Sequence, residues 1–450
     1  MYRPVQYIKT VTPYQNPEGR TFGRVTKSSG NFPSYLNRAL SSQPAAQSLS
    51  TSSPLVRLAS LPPAGGNFYL PGLSGSRNAS GSGGSSAVTG VSGTYSTTSG
   101  SSKYQAVMVA ETARAPMAMF GYGDELVVSV ISRSDMDCTP VYTYSGEEGL
   151  RLRSVLGEQA ESGNYGFSAG GTLHMVAEAW DGMVDWTATS PDGPWIKNDF
   201  SDICPHSYKN LKWGFGYKCP VTGQQYLGFG NDDHPGCVLQ YKNDSWQVLA
   251  APEDMLFPTS MGVISKGSNQ GTALIASATY GQSRLHTVSA DGTTEKAAEF
   301  AGWGYMTVDH TAGIAYFASE TGHVYYSSFN DLKNWKECQY QDAQGKTLSK
   351  LGRCGELNVH PKTGKVIVPV AEQGGAVGDN QPVTEAATLF YEAVVQNGKV
   401  TLKEAGRVEG TGFWELRTAV VGDELYYGSG LVSDKAQDAG PGAIYRVDVA

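Results

Sequence analysis

Trp303-Gly-Tyr-Met-Thr-Val-Asp309, Ile314-Ala-Tyr-Phe-Ala-Ser319 and Val324-Tyr-Tyr-Ser-Ser328 follow one another with only short turns between them. Each run is rich in β-branched and aromatic residues and is bounded by Gly, Asp, Asn or His. Runs of this length and composition read as strands, and turns this short join antiparallel neighbours. The same succession recurs on both sides. Upstream stand Pro116-Met-Ala-Met-Phe120 with Glu125-Leu-Val-Val-Ser-Val-Ile131, and Tyr165-Gly-Phe-Ser168 with Thr172-Leu-His-Met-Val-Ala177. Trp213-Gly-Phe-Gly-Tyr217 precedes Gln225-Tyr-Leu-Gly-Phe229, and Met261-Gly-Val-Ile264 precedes Thr272-Ala-Leu-Ile-Ala276. Downstream come Glu356-Leu-Asn-Val359 with Lys365-Val-Ile-Val-Pro-Val370, and Leu416-Arg-Thr-Ala-Val420 with Glu424-Leu-Tyr-Tyr427.

Taking Pro116, Asn164, Lys212, Pro258, Trp303, Arg353 and Phe413 as openings, the units are spaced 48, 48, 46, 45, 50 and 60 residues apart. A second hairpin follows in most units, for example at Val184, Val238, Leu285, Val324 and Leu389. Four strands in about 40–50 residues make one propeller blade. A lone four-stranded sheet cannot bury both faces; radial stacking buries them and leaves only short edges. The expected fold is all-β: a seven-bladed β-propeller over residues 103–450. Its last unit stops after a third strand, Ala443-Ile-Tyr-Arg-Val-Asp-Val-Ala450. The unassigned run Lys103-Tyr-Gln-Ala-Val-Met-Val-Ala110 is expected to supply the missing outer strand, so that 103–110 pairs with 443–450 and closes the ring.

Ahead of the repeats the composition changes. Residues 1–71 carry nine prolines and no sustained period, which excludes long helices and central strands. Aromatic and basic residues recur through this stretch: Tyr2, Arg3, Tyr7, Tyr14, Arg20, Phe22, Arg24, Phe32, Tyr35 and Arg38. Solvated tails are poor in aromatics, so the stretch reads as an arm that docks onto a partner. Residues 72–102 form a linker, with 23 of 31 positions Gly, Ser or Thr. Residues 1–102 hold eight Lys/Arg and one acid, whereas the rest hold 26 basic and 41 acidic side chains. The net charge of −8 hides this split, which points to different partners for the two parts. The arm's cations are scattered singly, so no nucleic-acid partner is expected. No stretch approaches the ~18 apolar residues of a membrane span, and the N-terminus lacks the layout of a signal peptide. The six cysteines include no C-x-x-C pair and read as reduced and structural.

Two turns carry a resemblance. Ser190-Pro-Asp-Gly-Pro-Trp195 and Ser328-Phe-Asn-Asp-Leu-Lys-Asn-Trp335 resemble the Asp-box turns of sialidase-type propellers and the Ser-x-Asp-Leu-x-Asn-Trp turns of five-bladed glycoside hydrolases. Ser289-Ala-Asp-Gly292 and Asn243-Asp-Ser-Trp246 are degenerate versions. The resemblance implies an Asp that caps turn N–H groups, a Trp that covers the hairpin, and a position away from the catalytic face. The overall order of docking arm, Gly/Ser linker and β head resembles virion-attached proteins of tailed bacteriophages.

In a propeller, ligands bind where inner strands begin and second strands end. Second-strand ends place Arg133, Trp180, Asp181, Asp232, Asp233, His234, Tyr280, Glu320 and Glu372 at that mouth; inner-strand starts add Trp213, Trp303, Trp414 and Glu415. Aromatic faces beside carboxylates suit sugars. Glycoside hydrolysis needs a carboxylate pair, for which Asp181, Asp232, Glu320, Glu372 and Glu415 are the candidates. A sialidase-like site would need an arginine cluster, with only Arg133, Arg353 and Arg417 in suitable places. Gly166-Phe-Ser-Ala-Gly170 matches G-x-S-x-G only within a strand run and not at a strand-to-helix elbow, and there is no H-E-x-x-H helix or P-loop. No catalytic residue, cofactor or metal is assigned; Asp232-Asp233-His234 reads as a turn. The expected function is that of a bacteriophage virion structural protein, assembled in the host cytoplasm in multiple copies. Residues 1–71 would bind other virion proteins, and the propeller a host-surface glycan or neighbouring subunits. A propeller carbohydrate-active enzyme and a cellular interaction scaffold are the alternatives.

Overall fold

The computed structural model describes residues 102–450 apart from 113, 131–138, 157–159, 170, 180–181, 200–211, 231–234, 244, 280, 373–386, 410–416 and 431–441. The arm and all but the last residue of the linker therefore lie outside the described residues. Among those described, every regular element is a β-strand.

The first strand, β1 (Tyr104–Thr112), leads into a sheet of β2 (Pro116–Tyr122), β3 (Glu125–Val130), β4 (Thr139–Ser145) and β5 (Gly149–Leu156). Blade two is β6 (Ala160–Ala169), β7 (Thr172–Ala179), β8 (Gly182–Ala188) and β9 (Ile196–Asp199). Blade three is β10 (Lys212–Lys218), β11 (Gln225–Gly230), β12 (Cys237–Lys242) and β13 (Ser245–Ala250). Blade four is β14 (Phe257–Val263), β15 (Ala273–Thr279), β16 (Gln282–Val288) and β17 (Thr294–Ala301). Blade five is β18 (Gly304–Asp309), β19 (Ile314–Ser319), β20 (Val324–Ser328) and β21 (Lys336–Glu337). All are antiparallel meanders.

The next stretch is built differently, and here the expectation of a seven-bladed propeller is corrected to six blades. Six sheets are regular four-stranded blades; residues 339–408 form a seven-stranded sheet. Its strands are β22 (Gln339–Gln341), β23 (Thr347–Leu348), β24 (Arg353–Cys354), β25 (Asn358–Val359), β26 (Val366–Ala371), β27 (Thr388–Gln396) and β28 (Lys399–Val408). The innermost position is split: β24 pairs with Ala371 and Val370, β25 with Ile367 and Val366. The break lies opposite Pro369, which has no N–H to offer a neighbour, although its carbonyl still accepts from the Gly355 N–H at 2.8 Å. At the outer edge the hairpin β22–β23 is added, with β22 parallel to β28.

The closing blade is β29 (Arg417–Val421), β30 (Glu424–Gly430) and β31 (Gly442–Val449), with β1 as its outer strand. The β1–β31 register runs antiparallel from Tyr104 opposite Val449 to Thr112 opposite Gly442. The two ends of the described head are thus joined by backbone hydrogen bonds, which removes a free edge.

Apolar clusters lie between neighbouring sheets all the way round. Phe120 and Val127 of the first blade meet Leu173 and Met175 of the second, and Phe167 and Val176 meet Leu227 and Phe229 of the third. Met119 and Val128 meet Ala419 and Tyr426 of the closing blade. The seven-stranded sheet packs on blade five through Tyr316 and Val368, and on the closing blade through Phe390 and Tyr427. Each fully buried side chain of this size contributes roughly 1.5–3 kcal/mol. Small residues set the spacing: a Cβ on Gly166 would stand 2.3 Å from the Phe120 ring, and one on Gly216 2.1 Å from Phe167. Hydrogen bonds also cross between inner strands, from Ser168 Oγ to the Gly121 carbonyl at 2.7 Å and from Thr259 Oγ1 to the Gly304 carbonyl at 2.8 Å.

The ring has two unlike rims. Inner strands start, and second strands end, at the mouth. The opposite rim, the turn face, carries the third-to-fourth-strand turns, including 189–195, 289–293 and 328–335. In the Ser289–Gly292 turn, Asp291 caps as expected: its Oδ1 accepts from Ser289 Oγ at 2.5 Å and from the Thr293 N–H at 3.0 Å. The hydrogen bond from Ser289 holds its carboxyl down at about 2. Asp192 behaves otherwise, reaching across to the first blade to take a bidentate pair from Arg153 at 2.9 and 2.7 Å. The Trp195 and Trp335 indoles close their own turns by donating to the carbonyls of Pro191 and Leu332.

Candidate functional site

Most residues assigned to the mouth from sequence lie outside the described residues: Arg133, Trp180, Asp181, Asp232, Asp233, His234, Tyr280, Trp414 and Glu415. So do all the arm residues from Tyr2 to Arg38. Trp213 falls in β10 at a register shift between Lys212 and Gly214, and its side chain lies outside the described residues. Trp303, Glu320 and Glu372 are described, and they show what this part of the mouth is made of.

Trp303 precedes β18 and Glu320 follows β19, so the antiparallel pairing of these strands brings the two together. The Trp303 N–H donates to Glu320 Oε1 at 3.1 Å, and the Glu320 N–H returns a bond to the Trp303 carbonyl at 2.7 Å. The Trp303 ring lies tilted on Phe257 of blade four, 5.4 Å between centroids. The other carboxylate oxygen of Glu320 meets Arg353 Nη2 at 3.2 Å, with both side chains largely buried (13% and 16% exposed). Arg353 opens β24, so this pair ties blade five to the seven-stranded sheet.

Glu372 follows β26 and is gripped by Arg407 of β28: Nη1 to Oε1 at 2.6 Å and Nη2 to Oε2 at 2.7 Å. Arg407 Nε also donates to Glu409 at 2.5 Å. The hydrogen bonds to Glu372 and then Glu409 hold the Arg407 guanidinium in its charged form well above its usual range. Glu320 and Glu372 thus belong to separate ion-pair networks.

Nearer the axis stands a group that crosses three sheets. Arg417, the first residue of β29, places its guanidinium 5.4 Å from the centroid of Tyr305 in β18. Glu356, in the break between β24 and β25, accepts from the Thr418 N–H at 3.0 Å, and Asn358 Nδ2 reaches Thr418 Oγ1 at 3.4 Å. The break in the inner strand lets Glu356 satisfy a donor that a regular neighbour would leave open. Arg353 and Arg417 were singled out from sequence only as arginines in suitable places. Tyr305, Glu356, Asn358 and Arg407 were missed. The signal was present for two of them: Glu356 and Asn358 alternate as polar residues on an inner strand, where apolar residues are the rule.

Chemically, this part of the mouth offers the part-exposed Trp303 ring, paired guanidiniums and carboxylates, and an amide, with Tyr305 buried beside Arg417. A carboxylate whose two oxygens are held by one guanidinium, as in Glu372, is poorly placed to exchange a proton with a substrate. Among the described residues no three His, Cys, Asp or Glu side chains are grouped as metal ligands, and no helix is long and apolar enough to cross a membrane.

No protein-family model matches the chain, and no curated protein sequence matches it. Among solved structures, it is similar to the crystal structure of a protein from Lactobacillus plantarum, at 12% sequence identity and a TM-score of 0.44, over 71% of this chain and 96% of that one.

Proposed function

We propose that this chain is a non-enzymatic virion structural protein of a bacteriophage, anchored by its N-terminal arm, with the propeller mouth turned outward to bind a host-surface glycan or neighbouring subunits. In this reading the seven-stranded sheet takes the seventh radial place in the ring, and the Ser/Asp/Trp turns are kin to those of the Asp-box propellers.

The observation that carries the proposal is where the arm joins the head. Lys103 sits at the turn face, where its carbonyl accepts from the N–H of the C-terminal Ala450 at 2.9 Å. Trp303, Tyr305 and Arg417 stand at the opposite rim. A head held from its turn face leaves the mouth free; a head held by its mouth would not. The ion pairing of Glu320 and Glu372 supports a binding role over a hydrolytic one. The part-exposed ring of Trp303 beside polar groups suits a sugar, which stacks its C–H face and hydrogen-bonds its hydroxyls.

The test is to delete residues 1–71 in the producing virus and quantify the protein in purified particles by mass spectrometry. The proposal expects the truncated protein to fold, to accumulate in the lysate and to be absent from particles. Incorporation at the normal level would overturn the anchoring role.

A further inference from the structure

The base of the arm is fastened to more than its own blade. Lys103 Nζ lies 2.9 and 2.6 Å from the two carboxylate oxygens of Glu392, which belongs to β27 of the seven-stranded sheet. The next residue, Tyr104, is fully buried, and its hydroxyl donates to the same carboxylate at 2.8 Å. The same hydroxyl meets Thr363 Oγ1 at 3.1 Å, and the Tyr104 ring lies 5.4 Å from that of His360. Glu392 is itself buried, with a side chain only 8% exposed. Two consecutive residues at the arm's exit thus satisfy one buried carboxylate of the neighbouring sheet.

We infer that Lys103, Tyr104 and Glu392 form a mechanical latch that keeps tension on an anchored arm from peeling β1 off the ring. The geometry explains the need. β1 and β31 are antiparallel, and Lys103 lies beside Ala450, so the arm pulls on the end of the ladder where the pairing of Tyr104 with Val449 begins. A pull directed away from the rim breaks such a ladder one pair at a time, starting there. With the latch, the first step also breaks the bonds of Lys103 and Tyr104 to Glu392 and brings the fully buried Tyr104 ring into water, which adds to its cost. Opening is opposed where it must begin. The inference rests on the anchored-arm reading for its purpose, but the latch is a property of the isolated protein and is tested there.

The experiment is optical-trap pulling of the purified full-length chain, with handles in the linker and at the C-terminus. These attachment points load the Lys103 end of the ladder directly. Release of the nine-residue β1 frees about 30 Å of contour at ~3.3–3.6 Å per residue, to which the length of the ladder between its two ends adds in the measured step. Glu392→Gln and Tyr104→Phe are each expected to lower the force of that first step, while Arg153→Gln, which breaks an ion pair between the first two blades, leaves it unchanged. Tyr104→Phe keeps the buried ring and removes only the hydroxyl, so it decides the matter should Glu392→Gln fail to fold. An unchanged first-step force in Tyr104→Phe, or a first step of different length in the parent protein, refutes the latch whether or not the arm anchors a particle.

Discussion

Gly166 and Gly216 do the same work on successive blades. Each lets a phenylalanine of the preceding blade lie against the inner strand's backbone, and the contacts leave no room for a methyl group. Replacing either by alanine forces the ring or the strand to move, at a cost of about 1–3 kcal/mol, whereas Gly146→Ala, which meets nothing within 4 Å, is expected to stay within about 0.5 kcal/mol. Urea unfolding midpoints of the three variants check this; equal midpoints would mean the ring tolerates wider spacing than the contacts suggest. These glycines stand out in the sequence beside aromatics, as in Tyr165-Gly-Phe167 and Phe215-Gly-Tyr217, but nothing there says which neighbour they touch. His174 is similar. In the sequence it is one histidine on a strand. In the fold it lies buried, its Nδ1 2.8 Å from Asp185 Oδ2 and its ring stacked on Phe167 at 4.5 Å. Burial pushes the Asp185 carboxyl up further than the hydrogen bond from His174 brings it down. The partners of His174 lie on the two neighbouring strands of its own blade, whereas the glycine contacts cross a blade interface and depend on the packing angle, which no local pattern encodes.

Strands were more legible than contacts because a two-residue period and bounding turns are local properties. The closing strand illustrates this: its apolar content was visible in the sequence, and β1 does lie beside β31. Ala106 and Met108 of β1 pack against the cluster that contains Phe390, Leu425, Tyr427 and Val447. The double substitution Ala106→Asp with Met108→Asp is expected to cost several kcal/mol, about as much as Leu425→Ala within the same cluster, for which ~2–5 kcal/mol is usual. Thermal and urea unfolding of both proteins settle the comparison, and a melting curve indifferent to the charges would show that closure adds nothing to stability. The seven-stranded sheet was less legible for physical reasons. β22 to β25 are only two or three residues each, too short to show a period, and the inner strand is interrupted where Pro369 stands opposite. The Glu356-Leu-Asn-Val359 run was read as one strand, yet only its last two residues pair as β25.

At the scale of the molecule, the two rims give the head a direction. The turn face carries the start of the described chain, its C-terminus and the tight third-to-fourth-strand turns; the mouth carries the aromatic and charged groups where blade five, the seven-stranded sheet and the closing blade meet. Sequence spacing gave this polarity in principle, since it follows from which strand ends share a rim. It could not give the pairing of Glu320 with Arg353 or of Glu372 with Arg407, which depends on side chains from different strands converging. If the arm anchors the head, the polarity has a measurable consequence. Lys365 and Lys399 are exposed on the turn face. Lys350 is exposed next to Leu351, whose N–H bonds the Gly322 carbonyl in the turn at the mouth rim. Free protein should react with an amine-directed label at all three lysines. In intact particles Lys350 should keep its reactivity while Lys365 and Lys399 lose most of theirs, because the surface that holds the arm lies against the turn face. Peptide mass spectrometry of labelled particles reads all three sites in one experiment. Protection of Lys350 with Lys365 and Lys399 left open would turn the head around, placing the mouth against the particle and removing it as a surface for host glycans.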